Sequence, residues 1–232
     1  MKKIIIVVFV FLSIAVKSNA QGFFVGFHGG LNNVWVSNVN PLWSRVDSLK
    51  PLSHKISSAN NTFRGGFGIQ AGFEFNKNVA IVTELNGQYQ GYKYQDSTLS
   101  KGAITGELSS SYLQIPIMLK LMAGHDGSGF FIMAGPSYSV LQNATLTESG
   151  KNLHEVTTDL KEKNYVIKQE VGITSVLGIQ FKAADHFLFT FGFRGNFGTK
   201  NINNLSPSIS NFSIPKSING SVGINLSAGY HF

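Results

Sequence analysis

Six ionisable side chains stand out by where they fall: Glu74, Glu84, Lys120, Glu170, Lys182 and Arg194. Each lies in a stretch of alternating polarity, on the polar parity of that stretch. Side chains alternate faces along a strand, so these residues share a face with Gln, Asn and Gly, opposite an apolar row. Three acids and three bases gathered behind one polar face can neutralise one another, which is what buried charge requires. The sharper chemistry for such a set is ion conduction or a proton relay. Hydrolysis would need a nucleophile, a histidine and a carboxylate converging in one place. His154 with Glu155 beside it comes nearest, and His54 lies in another polar segment; His125 and His186 fall in short turns and His231 near the carboxyl end. No HExxH or other metal-ligand spacing occurs, and Gly66, Gly68 and Gly72 sit within a strand with no helix after them, unlike a dinucleotide loop. With no cysteine, disulfides and thiolate chemistry are excluded. The expectation is therefore no catalytic residue, no cofactor and no metal, with the six charges in a structural role.

The segment that positions them is clearest from Arg64 to Tyr94. Phe67, Ile69, Ala71, Phe73 and Phe75 alternate with Gly68, Gln70, Gly72, Glu74 and Asn76; after Lys77 and Asn78 the pattern resumes with Ile81, Thr83, Leu85 and Tyr89 against Glu84, Asn86, Gln88 and Gln90. Folding about Lys77 sets Glu84 opposite Gln70 and makes the two apolar rows continuous. Strands of this length cross a bilayer when tilted, since roughly 9 to 11 residues suffice.

The same alternation recurs along the chain. Phe23 to Val36 carries Phe23, Val25, Phe27 and Leu31 on one face and Gly26, His28 and Gly30 on the other. Ser111 to Met122 sets Leu113, Ile115, Ile117, Leu119 and Leu121 against Tyr112, Gln114 and Lys120. Gly129 to about Leu146 is apolar at both parities near Phe130 to Met133, which leaves its faces open; a bulge near Gly135 and Pro136 would account for the change. Val166 to Lys182 opposes Val171, Ile173, Leu177, Ile179 and Phe181 to Glu170, Thr174, Gln180 and Lys182. Phe187, Phe189, Phe191, Phe193 and Phe197 form a ladder opposite Thr190, Arg194 and Asn196, and Ile218 to Phe232 ends the series. Polar stretches at Ser37 to Phe63, Gln95 to Ser110, Thr147 to Tyr165 and Thr199 to Ser217 read as long loops. The turns between them are short.

Eight strands with loops alternating long and short specify an all-β, eight-stranded antiparallel up-and-down transmembrane barrel, with four long external loops and three short periplasmic turns. Composition agrees: only 13% of residues are charged, 19 are Phe and 25 Gly, and the mean hydropathy is +0.06. Too little charge remains to coat a water-facing surface. Lys2 and Lys3 precede an apolar run from Ile4 to Val16 that is too short to span as a helix, and Ser18-Asn19-Ala20 follows; residues 1–20 read as a secretory signal peptide and 21–232 as a single barrel domain. The formal charge of +7 is spread without a basic run, which excludes a nucleic-acid signature but suits lipopolysaccharide phosphates.

Tyr112-Leu-Gln-Ile-Pro-Ile-Met-Leu-Lys120, followed by Phe131-Ile-Met-Ala-Gly-Pro136, resembles the paired signature of the outer-membrane β-barrel domain family common in Bacteroidetes, the PorT-like or "porin family" proteins. The resemblance implies residence in the cell outer membrane and insertion by the outer-membrane barrel assembly machinery, for which Tyr230 and Phe232 resemble the carboxyl-terminal recognition signal. Some relatives take part in protein secretion.

Eight strands leave an interior just wide enough for side chains to fill, so the six charges read as a plug. The expected role is non-enzymatic, structural, adhesive or associated with secretion or assembly, with external loops bearing Trp35, Trp43, His54, Tyr92, Tyr94 and the run Glu148 to Lys163 as the surface for a protein partner. A lipid-modifying hydrolase at the external rim and a narrow pore are the alternatives. A soluble calyx would instead turn the Phe ladder inward.

Overall fold

The computed structural model describes residues 22–37, 58–96, 104–150, 153–183, 186–202, 204 and 217–232. Ten strands form one antiparallel sheet: β1 Gly22–Ser37, β2 Ser58–Asn60, β3 Thr62–Asn76, β4 Val79–Asp96, β5 Ile104–His125, β6 Ser128–Gly150, β7 Leu153–Asp159, β8 Gln169–Ala183, β9 Phe187–Gly198 and β10 Ile218–His231. Eight of them close on themselves in the order β1-β3-β4-β5-β6-β8-β9-β10, with β10 returning to β1 from Phe24↔His231 to Ser37↔Ile218. Closure leaves no free edge around the barrel. The two short strands are additions at the end that carries the long connections: β2 pairs with β4, and β7 with β6.

Within the barrel wall the predicted faces hold. Gln70 pairs with Glu84, and the outward rows include Phe27, Phe67, Ile69, Ile117, Phe130, Leu177, Phe193 and Leu226, all exposed. The Phe187 to Phe197 ladder points outward throughout, so the calyx arrangement is excluded. At the opposite end of the strands from the long loops, turns are minimal. Asp126 and Gly127, at φ 50° and 76°, join β5 to β6 in the doubly positive conformation that a two-residue hairpin turn favours. Aromatic rings collect at this rim: Tyr230 lies 5.0 Å from Phe232 and 5.6 Å from Phe187, and Phe23 lies 5.9 Å from Phe232.

Several expectations are revised. The strand whose faces the sequence leaves open sets Phe130 and Ile132 outward and Phe131 and Met133 inward, and keeps that parity past Pro136. Its irregularity lies six residues further on: Ser111 pairs with Asn143 but Tyr112 with Leu141, so Gln142 is the extra residue. Pro136 remains in register opposite Ile173, because a proline lacks one ladder donor but displaces no residue.

The polar segments Gln95 to Ser110 and Thr147 to Tyr165, expected as loops, contain strand over 95–96, 104–110, 147–150 and 153–159 among the described residues. β4 runs to Asp96, β5 starts at Ile104, and β6 continues to Gly150 before turning back as β7. Over this extension the polarity inverts. On β5 the outward row changes from Leu113 to Leu121 into Ser111, Ser109, Glu107 and Thr105, while Tyr112 and Leu108 point inward and are buried. Tyr92 and Tyr94, expected in a loop, lie on β4 with buried rings 6.0 Å apart. Trp35, within the predicted strand Phe23 to Val36 and also named among the external-surface residues, sits in β1 with its indole 6.3 Å from the Phe197 ring. Trp43 and His54 lie outside the described residues, as does the expected signal peptide.

Candidate functional site

The interior is layered, and the layers follow from what each strand presents on its inward parity. Nearest the short turns, Phe24, Val82, Met118, Phe131, Met133, Val176 and Leu188 form an apolar layer. Sequence reasoning missed it, although every member occupies the parity otherwise held by polar residues. Lys120 stands over this layer, its ammonium 5.5 Å from the Phe24 ring and 5.0 Å from that of Phe131. A cation over two ring faces is attracted by both quadrupoles, more so when desolvated. The Lys120 ammonium also donates to Gln180 Oε1, whose amide nitrogen donates to the Gly127 carbonyl at 2.8 Å.

The middle layer is polar and networked, with Glu84 Oε1 and Arg194 Nη2 left without a hydrogen-bond partner. Arg194 Nη1 lies 2.8 Å from Glu84 Oε2, with both side chains at most 5% exposed. Asn86 Nδ2 donates to the same carboxylate oxygen at 2.9 Å, His28 Nε2 meets Asn86 Oδ1 at 2.5 Å and stands 3.7 Å from Glu84, and His28 Nδ1 lies 3.3 Å from Asn225 Oδ1. Around this group Gln88 and Asn196 both donate to Ser221 Oγ, at 3.0 and 3.1 Å, and Thr174 donates to Asn196 at 2.9 Å. Such a network fixes its members because each buried polar atom that loses a partner is costly in low dielectric.

Beyond it, toward the long loops, Glu170 accepts from Asn219 Nδ2 at 3.0 Å, and the same nitrogen reaches the Tyr112 hydroxyl at 3.2 Å. A second apolar layer then follows: Val36, Tyr92, Tyr94, Leu108, Leu141, Leu146, Leu160, Val166 and Ile202. Tyr92 lies past the outward apolar belt, and burial together with the Glu148 carboxylate pushes its phenol above the ordinary tyrosine range. Tyr94 donates to Glu148, while on the outer side Arg64 donates to Glu107 and Lys93 lies 3.3 Å from it.

The six sequence-selected charges therefore do not form three acid–base pairs. Glu84 and Arg194 pair directly; Glu74 pairs with His231 at 3.1 Å near the short-turn rim; Lys120 and Glu170 are held by amides; and Lys182, only half-buried, makes no ion pair among the described residues. The reason is reach. The charges sit at different heights and on different strands of a staggered sheet, so amides and histidines nearer by take the place of the expected partners. His28 and Asn225 were visible on the polar parity, but nothing in the order of residues along the chain brings them to Glu84.

His154 and Glu155 are both exposed on β7. Successive residues of a strand point to opposite sides, so the two cannot converge on one substrate atom. Among the described residues no group of three His, Asp or Glu side chains is placed to hold a metal.

A family model described as outer membrane protein beta-barrel domain matches residues 18–206. No curated protein matches the sequence. Among solved structures, the chain is similar to Ail, the attachment invasion locus protein of Yersinia pestis crystallised with the heparin analogue sucrose octasulfate, at 12% identity and a TM-score of 0.41, covering 91% of this chain and 99% of that one. It is similar to the outer membrane protein OprG from Pseudomonas aeruginosa at 12% identity and a TM-score of 0.47, covering 92% and 97%. It is similar to the outer membrane protease OmpT from Escherichia coli at 7% identity and a TM-score of 0.39, covering 92% and 98%. Likeness at this level carries no inference about activity.

Proposed function

We propose that this chain, which belongs to the outer membrane protein beta-barrel domain family, is a non-enzymatic membrane anchor that holds a β-platform above the bilayer as a docking surface for a protein partner, in an adhesive, structural or secretion-associated role of the PorT-like kind. The observation that carries this reading is the inversion along β4, β5 and β6. Nearer the short turns their apolar rows face outward, as hydrocarbon requires; toward the long loops the apolar row turns inward and the outward row becomes Lys93, Glu107, Ser109, Thr145 and Thr147. The sheet thus continues into water as an amphipathic structure with its own core of Tyr92, Tyr94, Leu108, Leu146 and Leu160. A rigid, solvent-facing surface on a closed scaffold is suited to recognition.

The filled lumen supports the same reading. Two apolar layers with an ion-paired polar layer between them support reading the lumen charges as a structural plug. Among the described residues His154 and Glu155 point to opposite sides of β7 and lend the rim hydrolase no support. Tyr230 and Phe232, both directed outward at the barrel seam, fit a signal read by the barrel assembly machinery, and the outward rows contact outer-membrane lipid and lipopolysaccharide.

A photo-crosslinking amino acid placed in whole cells at Ser109, Thr145 or Thr147, and for comparison at Ile117, tests the docking surface. Discrete protein adducts from the platform positions and only lipid adducts from Ile117 are expected. Absence of protein adducts from every platform position would overturn the reading.

A further inference from the structure

Between the Glu84–Arg194 pair and the upper apolar layer the lumen holds a cavity of about 20 Å³, lined by Gln90, Gln114, Ser137, Ser139, Glu170 and Asn219 among others. That is room for a single water-sized sphere, which needs roughly 10–15 Å³ on the same measure. Three of the lining residues carry oxygens that are buried without a hydrogen-bond partner: Gln90 Oε1, Gln114 Oε1 and Glu170 Oε1. All three residues are more than nine-tenths buried. Gln114 donates its amide to Ser137 Oγ at 3.4 Å and Asn219 donates to Glu170 Oε2 at 3.0 Å, away from these three oxygens.

Glu170 differs in one respect from Glu84 and Glu74. Each of those has a basic or imidazole partner within 4 Å, whereas no such side chain reaches Glu170 among the described residues. A carboxylate in low dielectric without a countercharge is strongly disfavoured. What the cavity offers is three unpartnered acceptors, one carboxylate oxygen and two amide oxygens, around a space of ionic size that the hydroxyls of Tyr112, Ser137 and Ser139 also line. Hard oxygen ligands of this kind select hard cations. With one carboxylate only, a monovalent ion gives a neutral assembly, while a divalent ion would leave an excess positive charge in a lumen that already contains Arg194 and Lys120.

We propose that this cavity binds one alkali-metal cation of sodium size, held by Glu170 Oε1 and the amide oxygens of Gln90 and Gln114. The inference is independent of the docking role, because it concerns the lumen and not the platform.

The test uses the full chain folded in detergent micelles, with sodium chloride exchanged for choline chloride at constant ionic strength. Urea unfolding is expected to show a folded-to-unfolded ratio that rises close to tenfold per tenfold increase in sodium above its Kd. In Glu170→Gln, which keeps the shape and removes the charge, that dependence is expected to vanish. Sodium-23 NMR relaxation on the unaltered chain reads binding directly and needs no variant: excess relaxation displaced by other alkali ions supports the site. Equal stability in sodium and choline with no excess relaxation would show that the cavity holds water, and stabilisation by calcium alone would overturn the monovalent assignment.

Discussion

Replacing Arg194 by methionine removes the guanidinium paired with Glu84 and keeps a side chain of similar length. The Glu84 side chain is fully shielded from solvent and that of Arg194 is 5% exposed, with 2.8 Å between Nη1 and Oε2. After the substitution the carboxylate retains Asn86 at 2.9 Å and His28 at 3.7 Å, neither of which supplies a fixed positive charge. Breaking a buried pair from one side costs about 3–5 kcal/mol. At 1.4 kcal/mol per decade this is a fall of roughly two to nearly four powers of ten in the folded-to-unfolded ratio. Removing both charges together, as Glu84→Gln with Arg194→Met, leaves two neutral groups in the same space and is expected to restore most of the loss, because the desolvation of both ions is then avoided. Urea unfolding in lipid vesicles, followed by tryptophan fluorescence and by gel mobility without boiling, measures all four corners of the cycle. The reasoning fails if Arg194→Met costs less than about 1 kcal/mol, or if the two substitutions are additive, since residues in one network should couple by about 0.5–3 kcal/mol.

Met118 is fully buried in the lower apolar layer, so Met118→Ala should destabilise the barrel by about 2–5 kcal/mol in the same unfolding assay. The intact chain in planar bilayers should show no sustained conductance, and a stable ion-selective open state would contradict the plug. Tyr92 is held neutral by burial and by Glu148. Its raised value in the folded state means that the unfolded chain releases this proton first, so the contribution is intact below about pH 10 and declines as pH rises above it. Hydrogen exchange should therefore show the platform loosening above about pH 10, less steeply in Tyr92→Phe. Phe232→Ala should slow insertion several-fold in an assembly assay while leaving the spectrum of the folded barrel unchanged.

The wall of the barrel was legible because hydrocarbon outside and side chains inside impose a strict two-residue period. Gln70 opposite Glu84 followed from parity and the turn at Lys77 alone. The platform was hidden by the same rule. Reading polar residues such as Ser109, Glu107 and Thr147 as loop assumes that strands end where the outward row stops being apolar, yet above the bilayer the outer medium is water and the alternation continues with its sign reversed. Leu108, Tyr92 and Leu146 were the available signal. The apolar layer of Phe24, Met118 and Phe131 could likewise have been found by asking which inward-parity residues are apolar at the short-turn end of every strand. The bulge at Gln142 could not be found that way, because a proline is the more conspicuous irregularity and gave the nearer explanation. Which charges pair was also beyond reach: Arg194 meets Glu84 across the lumen through stagger and tilt, and no local pattern encodes that meeting.

Site-directed spin labels along the outward row of β5 test the central claim most directly. Labels at Leu113, Ile117 and Leu121 are expected to show high oxygen and low nickel-chelate accessibility, changing to high nickel-chelate accessibility at Ser109, Glu107 and Thr105. A row that is uniformly water-accessible, or uniformly packed against protein, would contradict a sheet that crosses lipid and continues into water.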